Sequence, residues 1–216
     1  MFGLTTKQGN AMNEEISRLL RMYKEKRGMI KKFLADAKRS DKEHLTAELV
    51  FCLQTPQSKA KHARETVNRL KACSKLMCAT EEEIRSMMHG VRFPNKKAKY
   101  VYEARKKVKE IKKNLSMSSH ELREWLVKNI KGFGMKEASH YLRNLGVGGL
   151  AILDVHVQRF MKKNFKFVGE VGKLNKKQYI ENEKLFLEFA REMGIPPEEL
   201  DIAIWLCGNS GNEFYG

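Results

Sequence analysis

The chain is expected to be all-α, and three observations carry that expectation. Apolar residues recur at three- and four-residue spacings along most of its length. Two of the apolar runs are preceded by a hydroxyl residue with a glutamate three positions on, at Thr80–Glu83 and Ser118–Glu121, the pattern that opens a helix. Strand-type alternation is nowhere sustained. The sequence has 216 residues, 42% of them apolar and 31% charged, so it can bury a real core as one large domain or two small ones. The arrangement is either a single unit or two helical lobes with a cleft between them.

The elements follow in order. Asn13 can cap a first helix whose opening turn carries Glu14 and Glu15 and whose stripe runs Ile16, Leu19, Leu20, Tyr23. Leu45, Leu49 and Leu53 mark a second helix that should end before Pro56. A third starts near Gln57 and shows Ala60, Ala63, Val67 and Leu70. The Thr80–Glu83 box opens a short helix with Ile84, Met87 and Met88. Pro94 and Asn95 introduce a long basic helix with Ala98, Tyr102, Val108 and Ile111 on one face. The Ser118–Glu121 box precedes Leu122, Trp125 and Leu126. After position 130 come a hairpin, a helix to about Asn144, the turn Gly146-Val147-Gly148-Gly149, and a short helix begun by Asp154. The last two helices are expected over Lys177–Met193 and Pro197–Cys207.

Charge narrows the partner. Forty-two Lys and Arg against 26 Asp and Glu give a net charge of +16 and a pI of about 9.7. That balance favours a polyanion, usually nucleic acid. It is also uneven: Lys96–Lys113 holds nine basic residues and two acidic ones, whereas Glu181–Asp201 holds seven acidic and two basic. A polarised chain fits one DNA-facing side better than general solubility. No apolar run approaches the roughly 18–20 residues of a membrane span. The first residues, MFGLTTKQGNAMNEE, lack the long apolar core of a secretory leader, so a cytosolic location is expected.

Cysteine chemistry is argued against. Cys52 in LVFCL and Cys207 in IWLCG look like buried small hydrophobes. Cys73 and Cys78 have no second pair at ligand spacing, which disfavours a zinc site or an iron–sulfur cluster. Disulfides are improbable in the cytosol.

The densest signal is the hairpin. An apolar helix ends at Ile130, Gly132-Phe133-Gly134 follows, and a new helix starts at Lys136 with Ala138, Tyr141 and Leu142 on its face. Glycine permits a positive φ and a close backbone approach. The unpaired N–H groups at the next helix start favour an anion such as a DNA phosphate, independent of base sequence. The same pattern also fits a plain glycine-capped corner. Eighteen residues beyond Lys136 lies Asp154, in AILDVHV. It reads as a helix cap, as a carboxylate held at the lip of a cleft, or as both.

The hairpin with Lys136, followed by Asp154 in an Asp-x-His context, resembles the helix–hairpin–helix superfamily of DNA glycosylases typified by endonuclease III. The stretch KGFGMKEASHYLRNLGV…LAILDVHVQRF is closer to the archaeal-type 8-oxoguanine DNA glycosylases, a branch found in archaea and some bacteria. The resemblance spans about residues 45–207 in order of elements and is specific over 126–160. It implies two α-helical lobes with the active site between them: approximately 45–130 with a gap-filling loop, and 1–44 plus 131–216 with the hairpin, the catalytic pair and the last helix. No cofactor and no metal are implied, although a cation between hairpin carbonyls and a phosphate stays open. The implied partner is double-stranded DNA containing a damaged base, with no membrane and with the protein a monomer.

The resemblance also assigns roles. The lysine matching Lys136 attacks the sugar C1′, releases the base, forms a Schiff base and leads to β-elimination in base excision repair. An amine must be neutral to attack, and partial burial or a helix N-terminus favours that form. Asp154 would stabilise positive charge developing on the sugar. The nucleotide must leave the stack, and Gln57 in LQTPQS matches the gap-filling side chain, whose amide can pair with the orphaned base. Gln57 also fits a first-turn helix residue. His156 matches a phosphate contact, and Gly132, Phe133 and Gly134 form the DNA-binding hairpin. Gly90-Val91-Arg92-Phe93-Pro94-Asn95-Lys96-Lys97 resembles a second backbone-binding turn, which makes Lys96 and Lys97 DNA contacts; a solvated basic helix is the other reading. Trp205 matches an aromatic that lines the base pocket, where an indole can stack on a purine, and it is also a core candidate. Family members end in a lysine-bearing tail whose terminal carboxylate reads the N7–H of 8-oxoguanine. This chain ends at Gly216 without that lysine. Two other classes stay open: the same chemistry on another damaged base, and a non-catalytic helix–hairpin–helix DNA-binding module.

Overall fold

In a computed structural model, residues 6–208 are described, with side chains from residue 14 on. The described residues form eleven helices and no strand. They fall into two compact units: residues 34–148 form one, and 6–33 with 149–208 form the other. The hairpin therefore belongs with the helices that precede it. Residues 34–44 and 131–148, expected with the terminal segments, lie in the unit of residues 34–148, whose far boundary is the Gly148–Gly149 turn.

The unit of residues 34–148 is built around α2 (Lys42–Gln54). Residues Leu45 to Gln54 are all buried, polar Thr46, Glu48 and Gln54 included, so this helix is covered around its whole circumference. Against it lie α3 (Ala60–Ala72), α5 (Pro94–Lys106), α6 (Val108–Asn114) and α8 (Met135–Arg143). Two further elements, α4 (Glu81–Met87) and α7 (Ser119–Asn129), pack on α5 and α8 respectively. Both expected capping boxes are formed. Glu83 N–H donates to Thr80 Oγ1 at 3.2 Å while Thr80 N–H donates to Glu83 Oε2 at 2.7 Å. Ser118 and Glu121 exchange the equivalent pair at 3.3 and 3.2 Å. Each cap contributes about 1 kcal/mol to its helix.

A buried polar network ties α2 to its neighbours. Arg64 donates twice to Glu48, at 2.8 and 3.2 Å, and Asn144 Nδ2 donates to the same carboxylate at 2.7 Å. Tyr141, wholly buried on α8, donates its hydroxyl to Leu45 O at 3.1 Å. Glu48, Asn144 and Tyr141 have left water while Arg64 stays partly exposed, so the pairing offsets a desolvation cost that falls mainly on the carboxylate.

The other unit contains most of α1 (Thr6–Asp36), α9 (Val155–Asn164), α10 (Lys176–Met193) and α11 (Pro197–Gly208). It includes a cluster of mutually tilted rings, buried Phe160 and Phe189 with partly exposed Phe165, centroids 4.8 to 6.0 Å apart. Tyr23 on α1 donates to Glu199 on α11 at 2.6 Å, and Asn164 on α9 donates to Glu15 at 3.0 Å. Residues 150–154 belong to no helix or strand, so side chains satisfy much of their backbone. Ala151 N–H donates to Glu183, Tyr179 OH donates to Ala151 O and accepts from Leu153 N–H, and Gln158 donates to Leu153 O.

Three boundaries differ from expectation. α1 starts at Thr6, so Asn13 lies inside the helix and is not its cap. α3 starts at Ala60, because Gln57 adopts φ +54 and stands outside any helix. The long basic helix is two helices, broken at Lys107, whose N–H turns to Ala104 O at 2.9 Å in a tightened last turn.

Candidate active site and DNA-binding surface

The hairpin glycines differ in their work. Gly132 has φ +99, and a Cβ there would lie 2.5 Å from the Tyr100 ring of α5 and 3.1 Å from Leu53 of α2. Both the backbone conformation and the close approach require glycine at this position. Gly134 has φ −101 and needs no such freedom. Its N–H donates to Glu137 Oε2 at 3.3 Å, which caps the start of α8. Between them Phe133 is buried, its ring 5.7 Å from that of Tyr141. Its side chain anchors the hairpin from within.

Lys136 stands in the first turn of α8 with its side chain 25% exposed. Its Nζ lies 3.6 Å from Glu137 Oε1, so one carboxylate both caps the helix and flanks the amine. The neighbouring thiol of Cys52 is fully buried, and burial pushes its pKa well up, so no competing thiolate is available there. Cys207, expected to be buried, is only partly so, while Cys73 and Cys78 are exposed; all four are free thiols.

The basic turn next to the hairpin divides its two lysines. Lys96 is exposed, with Nζ 5.8 Å from the Tyr100 ring centroid. Lys97 is buried at 6% exposure, and its Nζ donates to Gln54 O, Pro56 O and Ser58 Oγ at 2.7, 2.6 and 3.0 Å. With all three protons committed inside the protein, Lys97 is not a phosphate contact. This corrects the reading of the two lysines as equivalent. Gln57 is exposed at the tip of the turn that Lys97 holds.

Lys131 and Tyr100 had no place among the sequence-based site residues, and Phe93 had one only as part of the basic turn. Lys131 is exposed, and its Nζ lies 5.9 Å from the same Tyr100 ring that Lys96 approaches. Tyr100 is thus the pillar on which the hairpin and the basic helix meet. Phe93 is a 53% exposed aromatic at φ +58, capping α5, with Arg92 stacked 5.4 Å from its ring. An aromatic just before a proline at the head of a basic helix is the available signal, but exposure is a tertiary property.

In the other unit, Asp154 caps α9. Its Oδ1 accepts from His156 N–H at 2.8 Å and Val157 N–H at 2.9 Å, and Oδ2 takes part in neither bond. His156 lies edge-on to Trp205, 6.3 Å between centroids, and Trp205 is only partly buried, so it is not a core residue. Gly208 passes so close to His156 that a Cβ would meet Nδ1 at 2.7 Å. Gly216, the expected source of a terminal carboxylate, lies outside the described residues. Among the described residues no cluster of three or more His, Cys, Asp or Glu could hold a metal ion.

A family model described as 8-oxoguanine DNA glycosylase matches residues 26–195. The chain belongs to the 8-oxoguanine DNA glycosylase family. An 8-oxoguanine DNA glycosylase/AP lyase of Fusobacterium nucleatum is 36% identical over 206 residues, covering 89% of this chain and 94% of that protein. The crystal structure of the 8-oxoguanine DNA glycosylase of Thermotoga maritima superposes with a TM-score of 0.82 at 32% identity, covering 93% and 98% of the two chains. The Methanocaldococcus jannaschii 8-oxoguanine glycosylase/lyase, solved with a 15mer DNA containing 8-oxoguanine, gives 0.76 at 28% identity over 90% of this chain and all of the other. The all-helical architecture of this family member is thus that of helix–hairpin–helix glycosylases of known structure.

Proposed function

We infer that the protein removes 8-oxoguanine from duplex DNA and then cuts the strand as an AP lyase. The observation that carries this reading is Lys136, a partly buried lysine at the head of the helix that follows the Gly-x-Gly hairpin, in a chain of this family. The neutral amine attacks C1′ and the C1′–N9 bond breaks, the electron pair leaving with the base. Loss of the amine's proton and opening of the sugar give a Schiff base between Nζ and C1′. Removal of a C2′ proton then expels the 3′ phosphate by β-elimination. Asp154, fixed by its two cap bonds through Oδ1, supports the positive charge that builds on the sugar.

The remaining assignments follow the chemistry of each group. Gln57 occupies the gap left by the flipped nucleotide. His156, Lys96 and the backbone of Gly132–Gly134 contact phosphates, Lys131 adding a further charge. Trp205 stacks on the extruded base, with the carboxylate of Gly216 beside it. The protein acts as a monomer, without a cofactor, on DNA in the cytoplasm; no helix of the described residues is long and apolar enough to cross a membrane.

The test is single-turnover product analysis on a duplex with one 8-oxoguanine opposite cytosine. Wild-type protein should release free 8-oxoguanine and leave a β-eliminated 3′ end. Lys136→Gln should do neither. Full strand cleavage by Lys136→Gln would remove the lysine from the mechanism. Base release from a different lesion only would keep the chemistry and move the specificity.

A further inference from the structure

The turn that carries Gln57 is strained and is held by a single charge. Ser58 N–H donates to Thr55 O at 3.0 Å, closing a four-residue turn with Pro56 second and Gln57 third. Gln57 has φ +54, a conformation that costs any residue with a Cβ and that glycine usually supplies at this place. Three oxygens around the turn point at one ammonium. Gln54 O is the last carbonyl of α2, left without a helical partner, where a cation also meets the negative end of the helix. Pro56 O lies on the turn itself, and Ser58 Oγ at its exit also accepts from Arg92 N–H at 3.0 Å. Lys97 Nζ donates to all three.

We propose that Lys97 is the positioning residue of the gap-filling turn: its buried ammonium locks the left-handed Gln57 and so holds the amide ready for the space left by the flipped nucleotide. The proposal rests on the glycosylase reading and deepens it. Lys97 touches neither DNA nor the reacting atoms; it acts through Gln57. Without the ammonium, the oxygens of Gln54, Pro56 and Ser58 lose their common donor, and Gln57 relaxes towards negative φ, which turns its side chain away. The contribution then appears only where a gap must be filled, in duplex DNA. A single-stranded abasic site needs no gap filling and still needs Lys136.

The experiment compares the strand-cleavage rate on an 8-oxoguanine duplex with that on a single-stranded abasic oligonucleotide, both under single-turnover conditions. Lys97→Met should lower the duplex-to-single-strand rate ratio at least about tenfold, the size expected for lost charged hydrogen bonds. In a Gln57→Ala background the same change should add little, because the turn then has nothing to present. Equal loss on both substrates, or an undiminished effect in the Gln57→Ala background, would overturn the proposal in favour of general destabilisation. Should Lys97→Met not fold by circular dichroism, Ser58→Ala removes one of the three acceptors; a ratio lower by about fivefold supports the proposal and an unchanged ratio contradicts it. Failure of wild-type protein on both substrates would count against the glycosylase reading itself, separately from Lys97.

Discussion

At the residue scale, the two carboxylate-bearing helix starts and the two hairpin glycines give sharp contrasts. On the proposed mechanism Asp154 caps α9 and also supports charge on the sugar, two jobs that substitution separates. Asparagine caps helices as well as aspartate does, so Asp154→Asn should leave thermal stability within about 0.5 kcal/mol. It removes the negative charge that supports the developing sugar cation, and base-release rate should fall by about 10²–10³. Alanine should lose both the rate and about 1 kcal/mol of helix stability. The glycines differ in a way the sequence hides. Gly132→Ala meets the Tyr100 ring at 2.5 Å and keeps a left-handed φ, so it should cost about 2 kcal/mol or more in urea denaturation. Gly134→Ala, at φ −101 with Glu137 Oε2 3.1 Å from the new methyl, should cost well under half of that. Equal losses at the two positions would show that the hairpin does not use Gly132 as described.

At the element scale, the loop and helix around Lys97 carry a pH dependence. Burial pulls the Lys97 amine down to about 8, Lys136 and Arg92 acting in the same direction and Glu137 against it. In the unfolded chain the amine titrates near its ordinary value of 10.5. Between those two pH values the unfolded state therefore holds more proton, and wild-type stability should rise with pH relative to Lys97→Met, by up to about 3 kcal/mol. Function should move the other way. As pH climbs past about 8 the turn loses its ammonium, and the duplex-to-single-strand rate ratio should fall in wild type and stay flat in Lys97→Met. Urea denaturation and rate measurements at several pH values check both arms.

Legibility also varies by element. The Thr80 and Ser118 caps, the end of α2 before Pro56 and the helix begun by Asp154 follow from local chemistry and were readable. Lys97 was not, because a lysine in a run of nine basic residues looks solvated until tertiary contacts bury it. That the Phe133 ring packs on Tyr141 is likewise a tertiary fact that its two flanking glycines do not announce. The break at Lys107 leaves no proline or glycine in the sequence to announce it.

At the scale of the whole molecule, charge polarity and family membership agree on duplex DNA as the partner. The +16 charge should make binding fall steeply between about 50 and 200 mM salt as counterions are released. Lys96→Ala and Lys131→Ala should each weaken binding to any duplex and reduce the salt slope by about 1. Lys97→Ala should leave the slope unchanged, since its charge never meets a phosphate. A slope reduced equally by all three would return Lys97 to the DNA surface. The general basic character was visible in the sequence. The division of labour among neighbouring lysines was not, because burial is decided by packing around α2 and Tyr100.

Borohydride trapping tests the central claim most directly. The purified protein is incubated with a duplex containing one 8-oxoguanine opposite cytosine and reduced during turnover. A Schiff base at Lys136 predicts a covalent protein–DNA band with wild-type protein that is absent from Lys136→Gln. No band from wild-type protein, or an undiminished one from Lys136→Gln, would contradict the mechanism.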